Sequence, residues 1–318
     1  MKDPRISMEA TNTIRWPEGK SFAFTVFDDP DSQFLKEGKI VYDFLADLGF
    51  RTTKGVWPSG GCREPNSPGD TCADPTYVDE ALALQRRGFE IGYHLNTLHS
   101  STRDEIEAGL DRFRSYFGHD PISMANHYNE EAIYWGSTRL SGLSKRLYDI
   151  ATLRRNASRY KGHVENQPFF WGDLCKERIR YCRNFVFLDV NTLKMCPWMP
   201  YRDPLRPYVN LWYASTEGSN CQRFLNALSE TNQDRLEAEN GCCIMYTHFG
   251  HQYVENGKLN PAFRALMTRL SKKNGWFVPA ASILDFLRAE KGETMLNNQM
   301  RSRLEWSWLG EKLFRGTS

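Results

Sequence analysis

The sequence predicts an α/β protein, a parallel barrel of alternating strands and helices with the helices on the outside. Three observations predict it. Short apolar runs of strand-forming residues recur along the chain, at 22–27, 89–93 and 242–247 among others. Amphipathic stretches bounded by helix-start and helix-stop residues separate these runs. About seven or eight such strand–helix units follow one another, a number that suits closure into a barrel.

The elements can be justified in order. The run Phe22-Ala-Phe-Thr-Val-Phe27 consists mostly of β-branched and aromatic residues and reads as a buried strand. Ile40, Val41, Phe44, Leu45 and Leu48 then repeat at helical spacing over 36–48, and Gly49 stops that helix. A short strand at 53–56 leads into a turn-rich loop at 58–74. Asp74-Pro75 sets an N-cap residue before a proline at the first helical position, predicting a helix to about residue 87, ended by Gly88. After the strand at 89–93, Ser101-Thr-Arg-Asp104-Glu105 offers two overlapping capping boxes. Ile106, Leu110, Phe113 and Phe117 carry that helix to Gly118. Further strands are expected at 121–125, 184–190, 208–213, 242–247 and 276–279. Further helices are expected at 222–228, 233–239, 261–273 and 282–289. The segment 155–207, with clustered prolines and aromatics, reads as an irregular, substrate-facing insertion. Three regions follow: a polar N-terminal extension at 1–20, the barrel at 21–292, and a tail at 293–318 packing on the barrel or on a partner.

Composition narrows the function. Of 318 residues, 40% are hydrophobic and 25% charged, enough for a large core and too apolar for disorder. The 41 basic and 39 acidic side chains leave a net charge of +2 with no basic block, so nucleic acid is not an implied partner. No run is long enough to span a membrane, and the first residues lack the apolar stretch of a secretory signal. The expectation is a soluble, cytoplasmic protein with reduced thiols. Its eight cysteines form no C-x-x-C pair, and Cys62 with Cys72 is the one pair to check for a disulfide. Nine tryptophans suit either a bulky core or the stacking of sugar rings.

The chemistry gathers where strands end. Asp28 and Asp29 follow the first apolar run, and adjacent like charges are costly unless something pairs with them. A bound cation is one answer; solvated turn residues before Pro30 are the bland one. His94 and His99 follow the run at 89–93, and His248 ends the run at 242–247. Acids and imidazoles collected at strand ends are how a parallel barrel builds a metal hydrolase site. One of the paired carboxylates would hold a divalent metal while its neighbour acts as base on a metal-bound water. Asp31 is a third carboxylate able to substitute for either. His127, in Asn126-His-Tyr-Asn, would bind substrate or replace His99 on the metal. His248 suits a general acid, against the alternative of a buried histidine bonded to backbone. No nucleophile elbow, Walker loop or dinucleotide fingerprint occurs.

These motifs, in this order, resemble the polysaccharide deacetylase family (carbohydrate esterase family 4, the NodB-homology domain). Thr25-Val-Phe-Asp28-Asp29 is similar to its T-F-D-D motif with one residue inserted. His94-Leu-Asn-Thr-Leu-His99 is similar to H-[ST]-x-x-H with one extra residue and with Leu95 in place of Ser or Thr. Tyr246-Thr-His248 matches the closing motif. The family's R-x-P-[FY] motif is absent, and Arg103 or His127 would take over its arginine's part. The resemblance implies a distorted (β/α)7 barrel with Asp28 as base, Asp29, His94 and His99 as metal ligands, and His248 as general acid. It implies a divalent metal, Zn2+ with Co2+ as alternative, used to hydrolyse the acetamide of an N-acylated amino sugar or glycan precursor. His127, Asn126, Arg103 and Trp171 are the expected substrate contacts. The partner expected is a small-molecule or oligosaccharide substrate, with no nucleic acid and no membrane; a homo-oligomer stays open. Two alternatives are a C–N hydrolase acting on a cyclic, non-sugar amide, and a metal-free carbohydrate-binding pseudoenzyme using Trp171 and Trp198.

Overall fold

Seven parallel strands close into a barrel, because the first strand pairs on one side with the second and on the other with the last. The computed structural model describes residues 14–154 and 157–318. The barrel strands are β1 (Phe22–Asp28), β2 (Thr53–Val56), β3 (Glu90–Tyr93), β4 (Ser123–Met124), β5 (Tyr181–Phe187), β6 (Leu211–Glu217) and β7 (Cys242–Thr247). They pair in the circuit β1-β2-β3-β4-β5-β6-β7-β1, every pair parallel. Every residue of these strands is buried, as expected of strands covered by side chains inside and helices outside. Short strands flank the circuit, among them Gly275–Trp276 beside β1 and Tyr201–Arg202 beside β6.

Helices α1 (Leu35–Asp47), α2 (Pro75–Arg86) and α3 (Arg103–Phe117) follow the first three strands. The Asp74 side chain accepts from Thr76 N at 2.8 Å, and Thr102 with Glu105 forms the capping box at the head of α3. Gly118 ends α3 at φ 80°, where a side chain would be strained. Then come α4 (Gly142–Ala151), α5 (Gly172–Arg178), α6 (Thr192–Met195), α7 (Cys221–Ala227), α8 (Glu230–Ala238), α9 (Pro261–Ser271), α10 (Ala280–Lys291) and α11 (Asn298–Arg315).

The structure departs from the sequence reading in the middle of the chain. The segment 155–207, read as an irregular insertion apart from the strand expected at 184–190, also holds the helices α5 and α6. β5 begins at Tyr181 instead of residue 184, because Arg183 and Asn184 are buried inside the strand with partners of their own. Arg183 pairs with Asp29, and Asn184 Nδ2 donates to Tyr201 Oη at 3.1 Å. β4 is two residues long where five are expected.

Residues 1–13 of the expected N-terminal extension lie outside the described residues. Trp16 is buried against Trp276 and Phe286, and its Nε1 donates to Asn240 O. In the region 293–318, α11 lies against β5 and α4. Trp308 packs on Phe185 and Tyr148, and Glu305 accepts from Ser141 and Ser144 at the head of α4. All eight cysteines are free, Cys62 and Cys72 included. Among the described residues no helix is long and apolar enough to cross a membrane.

Candidate active site

Alternation along β1 decides which acid reaches the barrel mouth, because successive side chains of a strand leave on opposite faces. Phe27 points inward: its ring contacts Tyr213, and a Cβ on Gly92 would come within 2.9 Å of it. Asp28 therefore points outward, into the helix layer. There Oδ2 accepts from Tyr42 Oη at 2.6 Å and Gln33 Nε2 at 2.8 Å, while Oδ1 accepts from Phe249 N at 2.7 Å. Burial raises the Asp28 carboxyl above its ordinary value despite the nearby Lys54 ammonium and these three donors.

Asp29 turns back inward and meets Arg183 of β5 in a two-pronged ion pair. Arg183 Nη1 donates to Oδ1 at 3.0 Å, and Nη2 donates to Oδ2. The guanidinium also lies 4.3 Å from the centre of the Tyr246 ring. Both members of the pair are almost wholly buried. Arg183 lines the cavity and is absent from the sequence reading. Its signal is a charged side chain inside an otherwise apolar strand, a position that calls for a partner.

Asp31 is the hub of the site. Its Oδ2 lies 3.1 Å from His94 Nε2, at the end of β3, and 3.6 Å from His248 Nε2, at the end of β7. Its Oδ1 lies 3.2 Å from His127 Nδ1, just after β4. Burial alone would raise the Asp31 carboxyl, but the charges and hydrogen bonds of His127 and His94 outweigh it and hold it well below the usual carboxylate range. Trp57 packs on both imidazoles, with ring centres 5.9 Å from His94 and 5.3 Å from His127. Among the described residues the other ring nitrogens, His94 Nδ1 and His127 Nε2, are buried without a hydrogen-bond partner. Asp31, His94 and His127 each bring one ligand atom within 4.8 Å of the others, and Asp29, Asp31 and His248 do the same. Two imidazoles and a carboxylate are a donor set suited to zinc and similar divalent ions, so the residues present fit such an ion.

These groups line a cavity of about 270 Å³ at the C-terminal ends of the strands. The structure brings Asp29, His94, Asn126, His127 and His248 to its wall, together with Asp31. It does not bring Asp28, His99, Arg103 or Trp171. Both ring nitrogens of His99 are held by backbone: Cys62 N donates to Nε2 at 2.9 Å, and Nδ1 donates to Ser100 O at 3.0 Å. Arg103 forms a bidentate pair with Asp173 on the outer surface, at 2.6 and 2.7 Å. Trp171 is a core residue whose Nε1 donates to Glu131 O. Asn126 spends its amide on closing a loop, accepting from Ile133 N at 2.8 Å and donating to Ile133 O at 3.0 Å. His248 Nδ1 donates to Ser219 O at 2.7 Å, which turns Nε2 toward Asp31.

The closed parallel seven-stranded barrel is the fold of solved polysaccharide deacetylases. A protein from Mycobacterium smegmatis described as a polysaccharide deacetylase superposes with a TM-score of 0.52 at 11% identity, covering 90% of this chain and 96% of its own. Puue allantoinase superposes with a TM-score of 0.50 at 12% identity, covering 92% of this chain and all of its own. At such identities the likeness speaks for the fold. No protein-family model matches the chain, and no curated protein matches it in sequence.

Proposed function

We propose that this protein is a metal-dependent hydrolase that removes the acyl group from an N-acylated amino sugar or glycan precursor. The observation that carries the reading is the convergence of Asp31, His94 and His127, each with one ligand atom within 4.8 Å of the others, beside a carboxylate fixed by an arginine. Asp31, His94 and His127 would hold the divalent ion, with His127 in the place expected of His99 and Asp31 in that expected of Asp29. When bound, such an ion supplies Lewis acidity and lowers the pKa of a water to about 7.

The chain's own groups do the rest. Asp29 faces the cavity and takes the proton of the attacking water, the part expected of Asp28. Arg183 fixes Asp29 in direction through its two-pronged hydrogen bond. His248, held through Nδ1, donates a proton from Nε2 to the departing amine. Tyr246 Oη, 3.3 Å from His248 Nε2, positions that ring further. The buried walls exclude water and strengthen each of these interactions.

The test is metal content by elemental analysis of the wild type, His127→Ala and His99→Ala. The expectation is about one divalent ion per chain in wild type and His99→Ala, and loss in His127→Ala. No ion in the wild type after reconstitution with zinc or cobalt would move the reading to a metal-free carbohydrate-binding protein. The fold likeness to an allantoinase motivates a second reading, a C–N hydrolase acting on a cyclic non-sugar amide. Turnover of N-acetylglucosamine against a cyclic amide separates the two.

A further inference from the structure

The cavity wall also holds cations that the hydrolytic chemistry leaves unused. Arg139 is 2% exposed, and its guanidinium carbon lies 3.6 Å from the ring centre of Trp135 and 4.8 Å from that of Trp308. Among the described residues it makes no ion pair, and its buried Nε and Nη1 find no acceptor. After burial, the groups that act on it most are the phenols of Tyr148 and Tyr160, the Arg183 cation and the Cys182 thiol. Lys312 of α11 lines the same cavity and donates from Nζ to Thr317 O at 2.6 Å. Burial, and after it the Arg139 charge, pushes the Lys312 ammonium down to about 8. Among the described residues the carboxylate side chains on the wall are Asp29 and Asp31, engaged by Arg183 and by His94 and His127.

A buried guanidinium stays charged, and leaving it without a counter-charge is costly. Packing between two indoles recovers part of that cost but leaves the N–H groups unpaired. A planar fork of donors on a cavity wall suits an oxyanion, which it can grip through two parallel hydrogen bonds. We infer that Arg139, aided by Lys312, forms a subsite for an oxyanion of the ligand, a carboxylate or a phosphate, so that the sugar taken by this cavity is acidic. The inference rests on reading the cavity as a substrate site and names a charge that the reading itself leaves open.

Calorimetric titration of the purified full chain with glucose, glucuronate and glucose 6-phosphate tests it. None of these carries an N-acyl group, so binding is read without turnover. The expectation is that at least one anionic sugar binds roughly 10- to 150-fold more tightly than glucose, the span of one charge-assisted hydrogen-bonded contact. Whichever anion binds more tightly identifies the group as carboxylate or phosphate. Arg139→Gln abolishes the preference, Arg139→Lys keeps part of it, and Lys312→Met reduces it by a smaller factor, with thermal melting confirming that each variant is folded. Equal affinity for all three sugars, no binding of either anion, or an undiminished preference in Arg139→Gln overturns the inference. A protein that shows the preference yet binds no metal would sink the hydrolase reading alone. A metal-loaded hydrolase without the preference would sink only the subsite.

Discussion

Replacing Arg183 by methionine removes one charge and keeps most of the volume. Met would still pack against Tyr246 and Phe27, the two rings that the guanidinium faces. What is lost is the two-pronged bond to Asp29. The carboxylate is left almost fully buried, with His94 Nδ1 at 3.7 Å as its next polar neighbour. Removing one partner of a buried pair costs about 3–5 kcal/mol, because the remaining charge has neither water nor counter-charge. Unfolding entropy of roughly 2.1 cal/mol/K per residue over a chain of this size makes each kcal/mol worth about 1.5 °C. The melting temperature should therefore fall by about 4–8 °C, read by scanning calorimetry. A second variant checks the cause. In the Arg183→Met background, Asp29→Asn removes the stranded charge and should recover at least half of the loss. A melting temperature within 1 °C of wild type (on the order of the smallest effect resolved), or a double variant no more stable than the single, would refute the assignment of a buried, mutually dependent pair.

Three further outcomes are expected. Asp29→Asn should lower turnover per folded molecule by roughly 10²- to 10⁴-fold, the usual worth of a general base, while Asp28→Asn lowers the melting temperature and leaves turnover within a few-fold; the opposite ranking would return the base to Asp28. Burial pushes the Glu131 carboxyl up to about 8 from 4.5, so the folded protein holds a proton there that the unfolded chain releases. Its contribution is fully present below pH 4.5 and is lost as pH rises through 8, so the stability of wild type relative to Glu131→Gln should fall across that window, by about 1.4 kcal/mol per unit at most; parallel urea-unfolding profiles for the two proteins would contradict this. Gly92→Ala should destabilise by about 1–3 kcal/mol, because its Cβ would stand 2.9 Å from the Phe27 ring and 3.0 Å from Thr53 Cγ2; an unchanged denaturation midpoint would show that the barrel interior yields.

Much of the barrel is legible in the sequence because buried parallel strands must be apolar on both faces. The expected strand at 53–56 coincides with β2, and those at 22–27, 89–93 and 242–247 lie within one residue of β1, β3 and β7 at either end. β5 is less legible because its polar residues are satisfied from elsewhere in the fold: Arg183 by a carboxylate 154 residues earlier, and Asn184 by Tyr201. The site follows the same division. That acids and histidines gather at strand ends can be read directly. Which of Asp28 and Asp29 faces the cavity depends on one step of alternation, and adjacent letters do not carry it. The choice between His99 and His127 depends on the path of the loop after β3, where buried Leu95 adopts φ 64° and the chain turns so that Cys62 meets His99. Arg139 and Lys312 come together only when α11 docks on β5, far beyond any local pattern.

The closure of the barrel through β1 has a kinetic side. Asp28 stands opposite Thr247 in the β1–β7 ladder, so the two strands that complete the ring lie some 219 positions apart in the chain. The loop-closure entropy for that contact is spent before any of its hydrogen bonds can form, and folds built on such distant pairings assemble slowly. The carboxylates of the first strand thus reach the chain early in synthesis but gain their surroundings late. Until β7 arrives, the apolar flank of β1 remains an open edge for another chain to pair with.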